Sequence, residues 1–366
     1  MSCTASPPVS HPGSPPSSAR AAARASEPRA RKKLVRRLLP DRSQNLRRIA
    51  QWAFVLLNVW IGVEFYLFVR HFETAGRWPA VQRPPGVEGW LPIASLMNLK
   101  AFVLTGEIPQ IHPAGMFLLL AFLSISLVLR KAFCSWLCPV GTISEWLWKL
   151  GRATFKRTWR VPRWLDIPLR GLKYILLGLF LWAVGGMSAA AIRAFLDSPY
   201  GVISDVKMMN FFRYLGLTGA VVLAALVLLS VFIQNFWCRF LCPYGALLGL
   251  FSRLSPVSIR RHENPCIDCA KCAQACPSWI PVDKLLVVRT PECTGCYECV
   301  AACPAEGALE MSFARRALSP WVFAGVMAVL FCGFVGYARW SGFWHTHLPD
   351  AVYFDLIPRA AEFGHP

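Results

Sequence analysis

The chain has 366 residues, of which 55% are apolar and only 16% are charged, and its mean hydropathy is +0.41. Since a soluble domain carries about 25% charged residues, this composition excludes an ordinary soluble protein and indicates a membrane protein. The net charge of +19 would suggest a nucleic-acid partner in a soluble protein, but we expect none, because Lys and Arg held on one side of a membrane produce the same excess.

Residues 1–48 are predicted to form a tail ahead of the membrane domain. Residues 1–30 are rich in Ser, Pro and Ala and too poor in apolar side chains to form a core, so we expect them to be disordered. The basic run 31–48 is expected to lie on anionic lipid. The long stretch before the first apolar segment argues against a cleaved signal peptide.

Five apolar segments come close to or exceed the length of about 20 residues that a membrane-spanning helix needs. They are residues 49–69, 113–129, 172–194, 214–233 and 320–337. The second is the shortest. We expect residues 131–133 to extend it, with the side chain of Arg130 reaching toward the lipid headgroups.

The distribution of Lys and Arg predicts the orientation. Residues 1–48 hold 11 of them, residues 130–173 hold 10 and residues 234–318 hold 9, whereas the three segments expected on the other side hold 4, 3 and 2. The positive-inside rule therefore predicts a multi-pass protein of the bacterial inner membrane. Its N-terminus and cysteine-rich segment would face the cytoplasm, and its C-terminus would face the periplasm.

A nine-residue pattern occurs twice, at residues 133–141 and 237–245, and both copies read aromatic-C-x-aromatic-L-C-P-x-G. Each copy ends a predicted helical hairpin. We therefore expect a duplicated hairpin that packs as a four-helix bundle, with both cysteine motifs at its cytoplasmic end.

The two copies contribute four cysteines, and on a helix a C-x3-C pair would share one face. We expect the four thiols to converge on a metal or cofactor near the cytoplasmic membrane surface. Thiolates suit an iron–sulfur cluster, Cu(I) or zinc. Redox-active disulfides and buried structural cysteines stay open as alternatives, although the duplication favours ligation. The four are Cys134, Cys138, Cys238 and Cys242.

Residues 266–304 contain two consecutive C-x2-C-x2-C-x3-C-P runs. This spacing is typical of ferredoxins with two 4Fe–4S clusters, in which the fourth cysteine of each run binds the other cluster. Zinc also binds C-x2-C pairs, but it does not require two complete runs that each end in Cys-Pro. We expect cluster one to be bound by Cys266, Cys269, Cys272 and Cys303, and cluster two by Cys293, Cys296, Cys299 and Cys276.

These patterns predict an α-helical polytopic membrane protein of about five transmembrane helices with a small α+β ferredoxin domain of the bacterial two-cluster type. The expected divisions are a tail (1–48), a four-helix membrane domain (49–256), a ferredoxin domain (257–312), and a fifth helix with a short external tail (313–366).

Two CxxxCP motifs followed by two ferredoxin motifs resemble the membrane-bound polyferredoxin family, which includes NapH, the C-terminal region of NosR, and CcoG. The resemblance covers about residues 49–312 and is closest in layout to NapH. It implies an electron-transfer subunit of the quinol dehydrogenase type that connects the quinol pool with the periplasmic side.

The leading functional hypothesis is therefore an electron relay between quinone or a cytoplasmic donor and a partner reductase or cytochrome. Membrane lipid, a quinone and partner redox proteins are the expected partners. A copper reductase or maturation factor for a membrane oxidase, acting through the four CxxxCP cysteines, is an alternative. A redox sensor is a third.

Weaker candidates lie in the predicted outer half of the membrane domain. Glu64 is an ionisable residue inside a predicted span, where charge is costly, and is a candidate acceptor of quinol protons. His112 and Glu107 precede the second span and are candidates for a quinone headgroup pocket. His345 and His347 form an H-x-H pair that we interpret as part of a solvated tail rather than a metal site.

Overall fold

The structure is a computed structural model that describes residues 34–37, 41–156 and 159–365. The expected disorder of residues 1–30 lies outside these ranges. The described chain is mostly helical, with one small sheet. The helices are α1 Ser43–Glu73, α2 Pro92–Thr105, α3 Pro113–Leu129, α4 Ala132–Trp136, α5 Pro139–Phe155, α6 Arg163–Gly186, α7 Ala189–Leu196, α8 Pro199–Val202, α9 Ser204–Arg213, α10 Leu217–Phe232, α11 Pro243–Ser252, α12 Lys271–Ala275, α13 Glu298–Ala301, α14 Pro320–Trp340 and α15 Asp350–Leu356; the strands are β1 Val257–Arg261, β2 Val287–Val288, β3 Leu309–Phe313 and β4 Arg316–Ala317.

Three of these helices, α1, α6 and α14, are long and apolar enough to cross a membrane, and α9 with α10 makes a fourth crossing if that pair, bent by 82°, counts as one span. Helix α3 has 17 residues, 13 of them buried. It is therefore an apolar helix enclosed by the rest of the protein. The expected class, an α-helical multi-pass membrane protein with a small ferredoxin-like domain, is confirmed.

The third span differs from the expected residues 172–194, because α6 ends at Gly186 and a new helix, α7, follows. The Lys100 ammonium group donates to the carbonyl oxygens of Val184, Gly185 and Met187 at 2.6–2.9 Å. A cation at this point satisfies the free carbonyls of a helix end. The Ser188 hydroxyl then accepts from the Ala191 amide and caps α7.

The long helices α1 and α14 both run away from the ferredoxin segment. Helices α1 and α14 begin beside it, where the Gln44 amide donates to the Cys296 carbonyl and the Tyr297 hydroxyl donates to the Leu318 carbonyl. The tail helix α15 packs at the other end of α1, where the Tyr353 and Phe68 rings lie 5.3 Å apart. The described N-terminal residues and α15 therefore lie at opposite ends of α1.

The two repeats pack reciprocally. Helix α3, from the first repeat, packs on α11, from the second, and α10, from the second, packs on α5, from the first. Ring contacts mark both interfaces, since Phe122 lies 6.4 Å from Tyr244 and Phe155 lies 5.2 Å from Phe232. Helix α14 packs along α3. These contacts, rather than a bundle of the first four spans alone, bring the cysteine motifs together.

The ferredoxin segment contains a four-stranded antiparallel sheet in the order β2-β1-β3-β4. Strand β1 pairs with β3 from Val257↔Phe313 to Arg261↔Leu309, and with β2 at Ile259↔Val288. The sheet extends to Ala317, beyond the boundary drawn at residue 312. Both C-x2-C-x2-C-x3-C-P runs lie in the chain between β1 and β3, so the sheet supports both ligand loops.

Candidate iron–sulfur sites

Four of the eight ferredoxin cysteines line one cavity. The cavity is lined by one cysteine from the first run and three from the second. Apolar side chains, including those of Ile259, Val282 and Val288, line the rest of it. Burial, with neighbouring cysteines, raises the pKa of Cys276 to about 11, so the free thiolate is disfavoured there and iron would supply the compensating positive charge. The four are Cys276, Cys293, Cys296 and Cys299, the set expected to bind cluster two.

The other four ferredoxin cysteines form a second, more open group. Burial raises the pKa of Cys272 to about 11, and the charges of Cys303 and Cys266 act in the same direction. The pKa of Cys303 is raised by burial and by Cys269 and Cys266. The Cys269 side chain is exposed. This is the set expected to bind cluster one, and it faces solvent.

Neither CxxxCP motif is a continuous helix, contrary to the expectation. Helix α4 ends at Trp136, and Cys138 takes an extended conformation with ψ 118°; in the second copy Cys238 lies in a π-helix and Cys242 is extended with ψ 105°. The residue before a proline is pushed out of the α region. Pro139 and Pro243 therefore end the first helix and begin the next.

This break makes the second cysteine of each motif the N-cap of a helix. The Gly245 amide donates to Cys242 Sγ at 3.3 Å. Cys138 is the N-cap residue of α5 in the first copy, but within the described ranges its side chain accepts no capping hydrogen bond. Helix N-termini favour negative charge, and α5 and α11 each begin directly after a cysteine whose sulfur would carry charge as a ligand.

The four CxxxCP cysteines lie in the region where the two repeats meet. The Phe133 and Tyr244 rings, from the two repeats, lie 6.1 Å apart. Burial, together with the charges of Cys134 and Cys242, raises the pKa of Cys138 to about 12. Burial also raises the pKa of Cys238, as do the other three thiols of the group. We call Cys134, Cys138, Cys238 and Cys242 the membrane quartet.

Buried cations surround the membrane quartet. The Lys131 side chain is 4% exposed and Lys173 is fully buried. Lys173 Nζ lies 2.7 and 2.9 Å from the two carboxylate oxygens of Glu292, whose charge also acts on Lys131. One carboxylate thus faces two ammonium groups, which leaves net positive charge beside four potential thiolates. The sequence pattern did not single out these residues.

Position 141 requires glycine because the backbone there lies close to Cys134, the first cysteine of the quartet. A Cβ atom there would lie 2.2 Å from the Cys134 carbonyl oxygen, which is backbone and cannot turn away. We expect Gly141→Ala to lower the free energy of unfolding by about 1–3 kcal/mol through overpacking. Thermal unfolding of the detergent-solubilised protein measures this.

The second repeat supplies a matched control, Gly245→Ala. The nearest atoms to a Cβ at Gly245 lie 3.6–3.7 Å away, an ordinary contact distance. We expect this variant to stay within about 1 kcal/mol of the native stability, since alanine suits a helix better than glycine. Equal losses in both variants would contradict the assigned contact.

An ion-pair network that the sequence analysis missed anchors the cluster-two loop to α1. Arg47, 1% exposed, donates to both Glu145 carboxylate oxygens at 2.6 and 2.7 Å and to Glu298 Oε1 at 2.6 Å. Gln51 donates to Glu145 as well. The sequence did carry one sign of this network, because Arg47 and Gln51 lie four positions apart at the start of an apolar helix and therefore share one helix face.

Two parts of the basic run 31–48 contact the rest of the protein. Besides the buried Arg47, the Arg37 amide donates to the Pro304 carbonyl and the Glu306 amide to the Val35 carbonyl, at 3.1 and 3.0 Å. Residues 34–37 thus lie against the chain that follows Cys303. Residues 31–33 and 38–40 lie outside the described ranges.

Arg130 also differs from its expected position. It is fully buried rather than directed at headgroups, because its backbone turns with φ 63° and its guanidinium donates to the Ser252 and Thr290 carbonyls. This turn ends α3 at Leu129. Residues 131–133 consequently do not extend the span, and α4 begins at Ala132.

The weaker candidates occupy separate environments. Glu64 is half-buried on α1. His112, 1% exposed, lies 2.9 Å from both the Arg83 guanidinium and the Gly201 carbonyl, which satisfies both ring nitrogens. The Glu107 side chain is 74% exposed and pairs with Arg193. His112 is therefore an internal structural residue rather than an open ligand.

Within the described ranges, no three His, Cys, Asp or Glu side chains are arranged around one point as a single metal ion requires. Sulfur ligands of a mononuclear zinc lie about 2.3 Å from the ion, whereas the ligands of a cubane cluster bind four different irons and lie farther apart.

Comparison with known proteins gives the same chemistry. A family described as a 4Fe-4S binding domain matches twice, at residues 111–158 and 215–262, and a 4Fe-4S dicluster domain matches residues 258–304. The chain is 49% identical to YccM of Escherichia coli (strain K12), whose name describes an electron transport protein, over 87% of this chain and 91% of YccM. No solved structure matches the chain significantly.

Two further relatives show the range of the similarity. The regulatory protein NosR of Pseudomonas aeruginosa is 33% identical over 43% of this chain and 22% of NosR. The ferredoxin-type protein NapH of Escherichia coli is 26% identical over 40% of this chain and 48% of NapH. The similarity to NapH is therefore that of a more distant member of the same family.

The helices, the ferredoxin-like sheet and the cysteine groups define a membrane-bound iron–sulfur protein of electron transport. The chain belongs to the membrane polyferredoxin family.

Proposed function

We propose that this protein relays electrons between a quinone in the membrane and a partner redox protein, through two 4Fe–4S clusters in residues 266–303 and an additional metal centre at the membrane quartet. The ferredoxin segment and the N-terminus would face the cytoplasm, as the Lys and Arg distribution favours. The C-terminal helix α15 would face the periplasm.

The observation that carries this proposal is the attachment of the cluster-two loop to the membrane helices. Gln44 donates to the Cys296 carbonyl at 2.9 Å, and Arg47 binds Glu298, two residues further on. A ferredoxin domain on a flexible tether would need neither contact. The cluster-two ligand loop is held next to the membrane, and the exposed Cys269 of the cluster-one set leaves the other side open to a soluble partner.

Quinol oxidation releases two electrons and two protons, whereas each 4Fe–4S centre carries one electron at a time. Several centres in one chain suit this stoichiometry. The half-buried Glu64 on α1 is the residue that we propose takes up the first quinol proton, because an ionisable side chain within a span is costly and marks a functional site; the second proton would pass to water. The copper hypothesis gains no support from the arrangement of the described ligands.

Anaerobic mixing of the purified, cluster-loaded protein with a menaquinol analogue tests the proposal. We expect the clusters to become reduced, as EPR detects, or the reduced clusters to be reoxidised by the corresponding quinone. The Glu64→Gln variant should slow this exchange while its clusters still accept electrons from dithionite. Intact clusters that exchange electrons with neither form would remove the quinone assignment.

A further inference from the structure

The four cysteines of the membrane quartet come from both repeats, and neither repeat alone supplies enough ligands for a 4Fe–4S cluster. Each of the two matches to a 4Fe-4S binding domain, residues 111–158 and 215–262, contains only two quartet cysteines. A 4Fe–4S cluster needs four ligands. The reciprocal packing of α3 on α11 and of α10 on α5 supplies them by joining the two copies.

We propose that the membrane quartet binds a third 4Fe–4S cluster, shared by the two repeats and placed next to cluster two so that the two exchange electrons directly. The proposal names the cofactor of the additional metal centre in the proposed function. It rests on that function for the direction of electron flow. Cys134 and Cys138 would bind it from the first repeat, and Cys238 and Cys242 from the second.

The surroundings of the quartet fit an anionic cluster. With four thiolate ligands such a cluster carries net negative charge, which a buried site must offset. Helices α5 and α11 begin directly after Cys138 and Cys242, and the Gly245 amide donates to Cys242 Sγ. Lys131 and Lys173 add two buried ammonium groups. Hydrogen bonds to the sulfurs are also a means by which proteins set cluster potentials.

The first repeat is joined to the cluster-two ligands by two hydrogen bonds. Ser135, which follows Cys134, donates from its hydroxyl to the Thr294 carbonyl at 2.7 Å, and Thr294 follows Cys293. Trp136 Nε1 donates to the Gly295 carbonyl at 3.1 Å. A pathway from Cys134 to Cys293 through Ser135 and Thr294 therefore consists of covalent bonds and one short hydrogen bond.

The second repeat reaches the remaining cluster-two ligand. Arg239, which follows Cys238, lies with its guanidinium 4.1 Å from the centre of the Trp279 ring. The Trp279 amide donates to the Cys276 carbonyl at 3.1 Å. Asp166 holds the Arg239 guanidinium in place through three hydrogen bonds of 2.8–3.0 Å. Both repeats thus contact the cluster-two loops.

Iron and sulfide analysis of the anaerobically purified full chain tests the third cluster. We expect about twelve irons per chain in the native protein and about eight in the Cys134→Ser/Cys238→Ser double variant, with the EPR signals of the ferredoxin clusters retained as evidence of folding. The matched control is Cys332→Ser, an exposed cysteine on α14, which should keep about twelve. About eight irons in the native protein, or about ten, would overturn the assignment.

The placement next to cluster two has its own test in the fully reduced protein. We expect magnetic coupling that broadens the EPR signal of the quartet cluster, and we expect the broadening to disappear in Cys293→Ser but to persist in Cys303→Ser. Broadening that is lost only in Cys303→Ser would refute the placement. These readouts do not involve quinone, so failure of the quinone assignment would leave them unchanged.

Discussion

Replacing Cys276 by Ser should remove the cluster of the second ferredoxin motif, although Cys276 belongs to the first. The side chain lines one cavity together with Cys293, Cys296 and Cys299. We expect the variant to lose about four irons and to lack the same EPR signal as Cys293→Ser. Iron analysis with an EPR-monitored redox titration measures both quantities.

The matched variant for this experiment is Cys272→Ser, only four residues earlier in the same motif. It should lose the other cluster and give the same spectrum as Cys303→Ser, because burial and the charges of Cys303 and Cys266 act together on the Cys272 thiol. If Cys276→Ser and Cys272→Ser lacked the same signal, the crosswise ligand sets would be wrong.

Replacing Arg47 by Gln should destabilise the protein by about 3–5 kcal/mol, the cost typical of removing one partner of a buried ion pair. The carboxylates of Glu145 and Glu298 would lose their 2.6–2.7 Å contacts with Arg47. Burial raises the pKa of Glu145, but Arg47 and Lys149 hold it at about 2, so the variant would leave a buried carboxyl group without its main partner. Chemical unfolding in detergent micelles measures the free energy. We also expect a lower potential of cluster two, because positive charge near Cys296 is lost.

An arginine with exposed partners provides the control for Arg47. Arg359 pairs with Asp355 and Glu362, and all three side chains are more than half exposed. Since exposed ion pairs contribute little, Arg359→Gln should leave the unfolding free energy unchanged within error. A loss below about 0.5 kcal/mol in Arg47→Gln, the range of ordinary surface substitutions, would show that the network does not hold the two parts together.

The ligand groups were predictable because their information is local. Spacing within 266–304 and the repeated CxxxCP pattern identify the cysteines without any knowledge of tertiary structure, and the structure brings Cys276 beside Cys293 as the crosswise pattern predicts. The placement of apolar helices was predictable for the same reason, since hydropathy over about 20 residues does not depend on neighbours.

Helix ends and buried charges were harder to predict, because they depend on contacts distant in sequence. Lys100 binds the carbonyls that end α6, 84–87 residues away, so the span predicted at 172–194 stops early. In the sequence Arg47 belongs to a basic run that we expected on the surface. Only the folded structure brings Glu145 and Glu298 next to it. The break in each CxxxCP motif was visible in the sequence, since proline restricts the residue before it.

The reciprocal packing of the repeats bears on how such a protein could arise. Because α3 packs on α11 and α10 on α5, each half uses the other half to cover its helices and to complete the quartet. A chain with one copy would offer two thiols and an uncovered helix face, so it would complete the same site only as a two-fold symmetric homodimer. Gene duplication would then have converted a site on a dimer axis into one within a single chain, leaving the two halves free to acquire different residues, such as Ser135 and Arg239, at equivalent positions.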